Sequence, residues 1–499
     1  LTATFVAARR VNGYQLFVGG TRDEANRNMH IGWRDNTTQF LCNHWGNDIW
    51  TNVNGGSGSG VNSFGIFTNR LGSTEPAPQR RLFQNGQEIG NINDPSQLLS
   101  YEGAGLASRS GVYYNVDIAE VIFYTQALNS AQQVILNTYL STKYNIPLND
   151  GTNYFNNTSG FTYDLIGIGT TNGTIKHVET DKSAQGNILL KEYANSLNET
   201  NEFVFAAHNG TPHGIDNTDL PDISPITLTN RWARVYYVER IQNGTIDAGT
   251  TDISLGFNFT GTGITPNSSK VYYLLYRSGT SGLFSTVSGG TGIVNEGTVW
   301  FNVASADFKT GYYTIAESSE TVRTWYSFND GTWSDYNTWS LNPDYPNNPA
   351  NEIPGSYDRA VITNGKLVTV ASPVSCGILD VNNGTIDFGT NAPSSFVAIN
   401  GQTNGIIKLA ADNFPNGNAE NFASSTGGTV VYYGSGYNLT TQRTFNNVDI
   451  NLDASANTLT LLANYTLNGN LNIKRGIFRI NNDTQTSILT LDVAKDVTV

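Results

Sequence analysis

Charge is scarce in this sequence: only 14% of its 499 residues are Asp, Glu, Lys or Arg, and methionine occurs once. With strong helix formers so thin, the runs of Val, Ile, Tyr and Phe broken by Gly, Asn and Thr exclude helix bundles. They point to twisted sheets joined by tight turns. Lys and Arg number 28 against 41 acidic residues, a net charge of −13. That balance lacks the dense basic surface that phosphates demand, so no nucleic-acid partner is expected. It suits solubility outside a cell and offers carboxylates to divalent cations. No apolar run approaches the ~18 residues of a membrane span, and none is expected here. The two cysteines, Cys42 and Cys376, fall in different proposed domains and read as buried small hydrophobes. Stability is then left to β cores and to any bound calcium. The chain opens at Leu1 in a mid-domain strand pattern and ends at Val499 in another, which reads as a fragment of a longer polypeptide.

This length exceeds one core, and the pattern divides into three all-β regions. Residues 1–148 open with alternating runs, TATFVAAR and YQLFVGG, typical of half-buried antiparallel strands. One helix signal follows at 129–143. Asn129 and Ser130 are good N-cap residues, Ala131, Val134, Ile135, Thr138 and Tyr139 recur at helical spacing, and Pro147 lies beyond the end. This helix should pack on the sandwich and close the domain. Residues 149–319 carry further strands, among them EFVFAAHNG, WARVYYVER and KVYYLLYRS, and predict a second β-sandwich.

Residues 320–499 change character. The stretch from Trp325 to Pro354 is rich in Trp, Asn, Asp and Pro and reads as an irregular cap. Beyond it, LDVNNGTIDF (379–388) and LNIKRGIFRI (471–480) share a pattern with a central glycine. Such short repeated strands predict a parallel β-solenoid over 360–499, in which each rung buries its neighbour's apolar side chains. Gly384 and Gly476 are expected at equivalent tight corners that need a left-handed backbone.

Certain segments resemble a known family. YYNVDIAEVIFYTQALNSAQQVILNTYLSTKYNI (113–146), with its Asp117, Glu120, Val121 and Tyr124 element, looks like the closing strand and helix of concanavalin A-like, laminin-G-type domains of Bacteroidetes surface proteins. NGYQLFVGGTRDEANRNMHIGWRD (12–35) and RRLFQNGQEIG (80–90) resemble earlier strands of that domain, whose first strands are expected to precede Leu1. The middle region resembles a domain of unassigned role that often adjoins it. The third resembles stalk-like repeats of long surface proteins, including gliding-motility adhesins exported by the type IX system. The resemblance implies an extracellular location at the bacterial cell surface. It also implies a concanavalin A-like jelly roll and, as partners, a surface polysaccharide or other glycan, further domains of the same polypeptide, and the secretion or motility machinery.

Three places could carry chemistry. In HIGWRDNTTQFLCNHWGNDIW (30–50), Trp33, Trp45 and Trp50 with Asn47, Asp48, His30, Arg34 and Asp35 suggest a sugar platform. Indole faces pack on pyranose C–H groups while Asp and Asn read hydroxyls. The plainer reading puts Trp33 in the core. In laminin-G-like domains acidic residues near the 117–124 element can help bind calcium, which makes Asp117 and Glu120 candidate ligands. A regular strand would send them to opposite faces, and the alternative is that they bond backbone or arginine. The acidic loop GIDNTDLPD (214–222), with Asp216, Asp219 and Asp222, lacks EF-hand spacing and reads better as a solvated loop.

Catalysis has little support. The histidines form no H-E-x-x-H motif, no G-x-S-x-G elbow appears, and no E-x-D-x-E strand supplies paired glycosidase carboxylates. The leading expectation is therefore a non-enzymatic adhesin segment, a lectin-like module on a β-rich stalk, serving attachment or gliding. The alternatives are the accessory region of a secreted carbohydrate-active enzyme and a filament without a ligand.

Overall fold

The computed structural model describes residues 1–20, 29–34, 39–43, 48–53, 56–72, 80–93, 104–156, 159–180, 186–481 and 489–499. The chain is nearly all β, 49% strand and 5% helix.

The first region is an antiparallel sandwich. One sheet orders its strands Val116–Tyr124, Thr2–Arg9, Gly65–Leu71, Arg80–Gln84 and Gln87–Ile92. The facing sheet runs from Val112–Tyr113 through Ser108–Arg109, Ala104–Leu106, Gln15–Gly20, His30–Trp33 and Gln39–Asn43 to Ile49–Asn52. Phe5, Phe17, Trp33, Phe40 and Phe67 fill the space between them. Their rings meet edge-on or stacked, with Phe40 and Phe67 centroids 4.6 Å apart, which adds directional packing to the burial.

Helix Ser130–Tyr144 begins at a complete capping box: Asn129 accepts from the Gln132 N–H, and the Gln132 side chain accepts from the Asn129 N–H. It ends at Asn145 in a left-handed conformation. The helix does more than close the sandwich. Leu136 and Leu140 pack on Val6 and Ile66 of the first region, while Ala131, Val134, Ile135 and Tyr139 pack with Phe203, Phe205 and Ile241 of the second. The apolar spacing read from sequence is thus the face turned to the second region.

That second region is also a sandwich. The long strand Ser285–Asn295 pairs with Lys270–Arg277 from Ser285 to Ile293, across an irregularity, and through Val294 and Asn295 with Thr298–Val303, and so passes from one layer to the other. Tyr236, Leu255, Phe257, Leu274 and Phe301 form its core.

From Thr324 onward the pairing turns parallel, apart from Trp339–Ser340, which runs antiparallel to Thr324–Ser327, and the chain winds into a β-solenoid of about six turns. One stack holds Thr324–Ser327, Arg359–Ile362, Ser375–Val381, Ser395–Gly401 and Asn416–Asn418. A second holds Gly331–Thr332, Leu367–Thr369, Thr385–Asp387, Ile406–Leu409, Thr429–Tyr432, Asn447–Asn451, Leu471–Arg475 and Val497–Thr498. The start of the expected irregular cap is thus part of the first rung, while residues 341–354 form no helix or strand. Trp325, Trp333 and Trp339 are buried in the solenoid core, and the Trp325 indole donates to Asp358 at 2.9 Å.

The two matching segments do not occupy equivalent corners. Residues Leu379–Val381 lie in the first stack and Thr385–Asp387 in the second. Leu471–Arg475 lies in the second stack, and Ile477–Ile480 in a third with Thr458–Leu461. Gly476 does turn its corner with φ +107. Gly384 has no positive φ; a Cβ there would lie 2.9 Å from the Lys366 carbonyl oxygen of the preceding rung. Its glycine is required by close approach instead.

Gly476→Val should destabilise the solenoid by about 1–3 kcal/mol, since the valine must adopt φ +107 with its Cβ 2.7 Å from Leu452. Thermal unfolding of the variant against the parent checks it, and an unchanged midpoint contradicts the corner assignment.

Candidate functional site

Alternation along Ile49–Asn52 decides which tryptophan can meet a ligand. Ile49 points into the core and Thr51 donates to the Ile89 carbonyl of the facing sheet at 2.5 Å. Trp50 consequently points outward, and it is 50% exposed. The Arg34 guanidinium carbon lies 3.6 Å from its ring centroid, a cation–π contact worth about 0.5–1 kcal/mol at an exposed site. Arg34 thereby covers part of one indole face.

Trp33 must be removed from the sugar platform. It is fully buried, 4.8 Å from Phe17 between centroids, and offers no face to solvent. His30 is buried as well, with Nε2 3.2 Å from the Gly20 carbonyl. Trp45, Asn47 and Asp35 lie outside the described residues. Asp48 is half-buried and contributes, behind desolvation, to a Cys42 thiol pushed up to about 11. Both cysteines are free and buried in separate cores.

Asp117 and Glu120 behave differently from a regular strand. Pairing with Thr2–Arg9 slips between Val6 and Ala7, so that Val6 faces Glu120 and Ala7 faces Ile118. The bulge at Ala119 resets the alternation. Val116, Ile118 and Val121 pack inward, while Ile122 packs under the helix. Both carboxylates thereby reach the outer face. Each is taken by a cation: Arg10 holds Asp117 at 2.9 Å, and Lys143 of the helix holds Glu120 at 3.0 Å. Among the described residues no group of three or more His, Cys, Asp or Glu is placed to hold a metal ion.

The acidic loop is tied down rather than freely solvated. Arg231 reaches Asp216 at 2.6 Å, and Arg277 reaches Asp219 at 3.3 Å. Hydrogen bonds from Thr218, with Arg231's charge adding to them, hold the Asp216 carboxyl below its ordinary range.

A histidine cluster escaped sequence reading because its members are far apart in the chain. His208 accepts the Gly210 N–H on Nδ1 at 2.9 Å, so Nε2 carries the proton and donates to Asp164 at 2.8 Å. Arg234 lies 3.5 Å from the same nitrogen. With both nitrogens engaged, the ring ties a strand to its following loop. Desolvation above all holds its pKa below the ordinary 6.5, Arg234 adds to that, and Asp164 opposes it. His177 and His213 are lowered by burial too.

No protein-family model matches this chain, and a search of curated proteins finds no match.

These three depressed histidines fix a pH dependence. Unfolded, each takes up a proton below about 6.5; folded, each resists until lower pH. Stability is therefore complete above that value and falls as pH drops through the folded pKa values. The thermal midpoint should decline from pH 7 to pH 5, and an NMR titration should place His208 below 6.5. A His208 midpoint above 6.5 would contradict the desolvated setting.

Proposed function

We propose that this chain is an adhesive segment of an extracellular bacterial surface protein. In this reading a lectin-like sandwich binds a glycan, and the solenoid serves as the stiff stalk. The observation that carries the reading is Trp50: a half-exposed indole, one face partly covered by a guanidinium, on an outward sheet face. An indole so held offers the flat apolar surface on which pyranose C–H groups pack, beside polar groups that meet hydroxyls. Support also comes from the resemblance of 12–35, 80–90 and 113–146 to laminin-G-type domains.

The stalk role draws on continuity. The Ser130–Tyr144 helix is packed on both sandwiches, and the Ser130 and Thr171 hydroxyls lie 2.7 Å apart across that junction. The second sandwich meets the solenoid through Val271 and Ile293 against Ile378 and Ala398. Asn400 donates to Asn295 at 2.9 Å beside that contact. Load on a bound glycan would pass through packed interfaces. Calcium has no part in this reading, since an ion at Asp117 or Glu120 must first displace Arg10 or Lys143.

Trp50→Ala should remove at least one glycan from the set the parent binds on an array and lower the thermal midpoint by no more than about 4 °C, because only an exposed cation–π contact is lost with the side chain. An array on which Trp50→Ala binds every glycan the parent binds, or one on which the parent binds none, would refute the lectin role of this face.

A further inference from the structure

On the solenoid's flank an open cavity of about 550 Å³ is lined by Arg359, Asp380, Asn382, Asn400, Gln402 and Thr403, with Asn421 and Thr426 at its edge. Its size lies within the ~300–1,000 Å³ usual for small-ligand sites. Its lining is polar, yet its charges cancel. Arg359 reaches one Asp380 oxygen at 2.6 Å, and Asn400 donates to the other at 2.8 Å. No lysine lines it. Glu296 accepts from the lining Asn421 at 2.6 Å, which sets a further carboxylate beside the groove.

The remaining hydrogen-bonding groups run along the solenoid axis. Val381 pairs with Gly401, so Asn382 and Gln402 take the same place on successive rungs, about 4.8 Å apart. Their side-chain amides make no hydrogen bond to any described residue. Thr403 donates to the Thr426 carbonyl of the next rung at 3.4 Å. An amide presents two donors and an acceptor, and a hydroxyl is both donor and acceptor. A row of such groups at rung spacing matches a row of hydroxyls.

We infer that this groove is a binding site for a neutral oligosaccharide lying along the solenoid axis. It deepens the adhesive reading and shares with it the class of ligand, but it does not depend on the Trp50 face. With no aromatic platform, affinity rests on the amide row, and removing that row should cost most of the binding.

The test is saturation-transfer NMR on the full chain, with neutral β-1,4-glucan, α-1,4-glucan and β-1,4-mannan hexasaccharides as probes. Parent, Trp50→Ala, Asn382→Ala/Gln402→Ala and Gln402→Arg, which fills the groove without deleting a packed group, are compared at matched thermal midpoints. At least one probe should give a signal that persists in Trp50→Ala and drops at least fivefold in both groove variants. A signal lost only in Trp50→Ala leaves the lectin face standing and overturns the groove. A signal retained by either groove variant, or no signal from any of the three probes in Trp50→Ala, overturns it equally.

Discussion

The solenoid depends on one column of apolar side chains kept in register from rung to rung. Val368 pairs with Ile386, Ile386 with Ile407, Ile407 with Val430, Val430 with Val448 and Val448 with Leu471. All six are buried, and burying each is worth about 1.5–3 kcal/mol. A three- or four-residue strand has too little surface to bury itself, so its apolar side chain is shielded only by the rungs above and below. A slip of one residue would turn the column to solvent and the outward Asp387, Lys408 and Asp449 inward, which fixes the register. At the first rung the gap is filled by size: Trp325 sits opposite Ala360, followed by Leu379 and Ile399.

The same need for partners joins the regions. A helix with an apolar stripe on one side could have closed the first sandwich alone. This one carries two stripes, and each finds a different domain. The second sandwich likewise spends Val271 and Ile293 on the solenoid rather than on its own core. Such contacts transmit strain because packed interiors are nearly incompressible.

Local rules made much of this legible. Capping residues and spacing marked the helix, alternation marked the strands, and short glycine-centred repeats marked the solenoid. What the sequence concealed was set by tertiary partners. LDVNNGTIDF and LNIKRGIFRI look alike because any corner between short strands needs the same residues, yet they turn different corners. Asp117 and Glu120 share a face only because a bulge intervenes, and nothing local announces that Arg10 and Lys143 will take them. Trp33 and Trp50 are equally aromatic neighbours in the chain. One strand lies in mid-sheet and aims its indole between the layers, while the other lies at the end of the described sheet order and aims its indole out.

Where the charges sit bears on what the molecule can recognise. Arg359 meets Asp380, Lys408 meets Asp387 and Lys474 meets Asp449 along the solenoid, each cation within 3.3 Å of its carboxylate. Arg231 and Arg277 are spent on the 216–219 loop, and Arg10 and Lys143 on the first sandwich. The exposed pairs among them, such as Arg10 with Asp117, contribute only about 0–1 kcal/mol each to stability. They do use up basic residues in a chain whose acidic residues outnumber them. An anionic polymer would meet an excess of carboxylates over basic residues. The Trp50 face and the groove beside Asn382 and Gln402 instead offer an indole, amides and hydroxyls, groups able to meet uncharged hydroxylated ligands through C–H packing and hydrogen bonds. On the proposed reading, electrostatics and side-chain chemistry favour the same ligand class at both candidate sites.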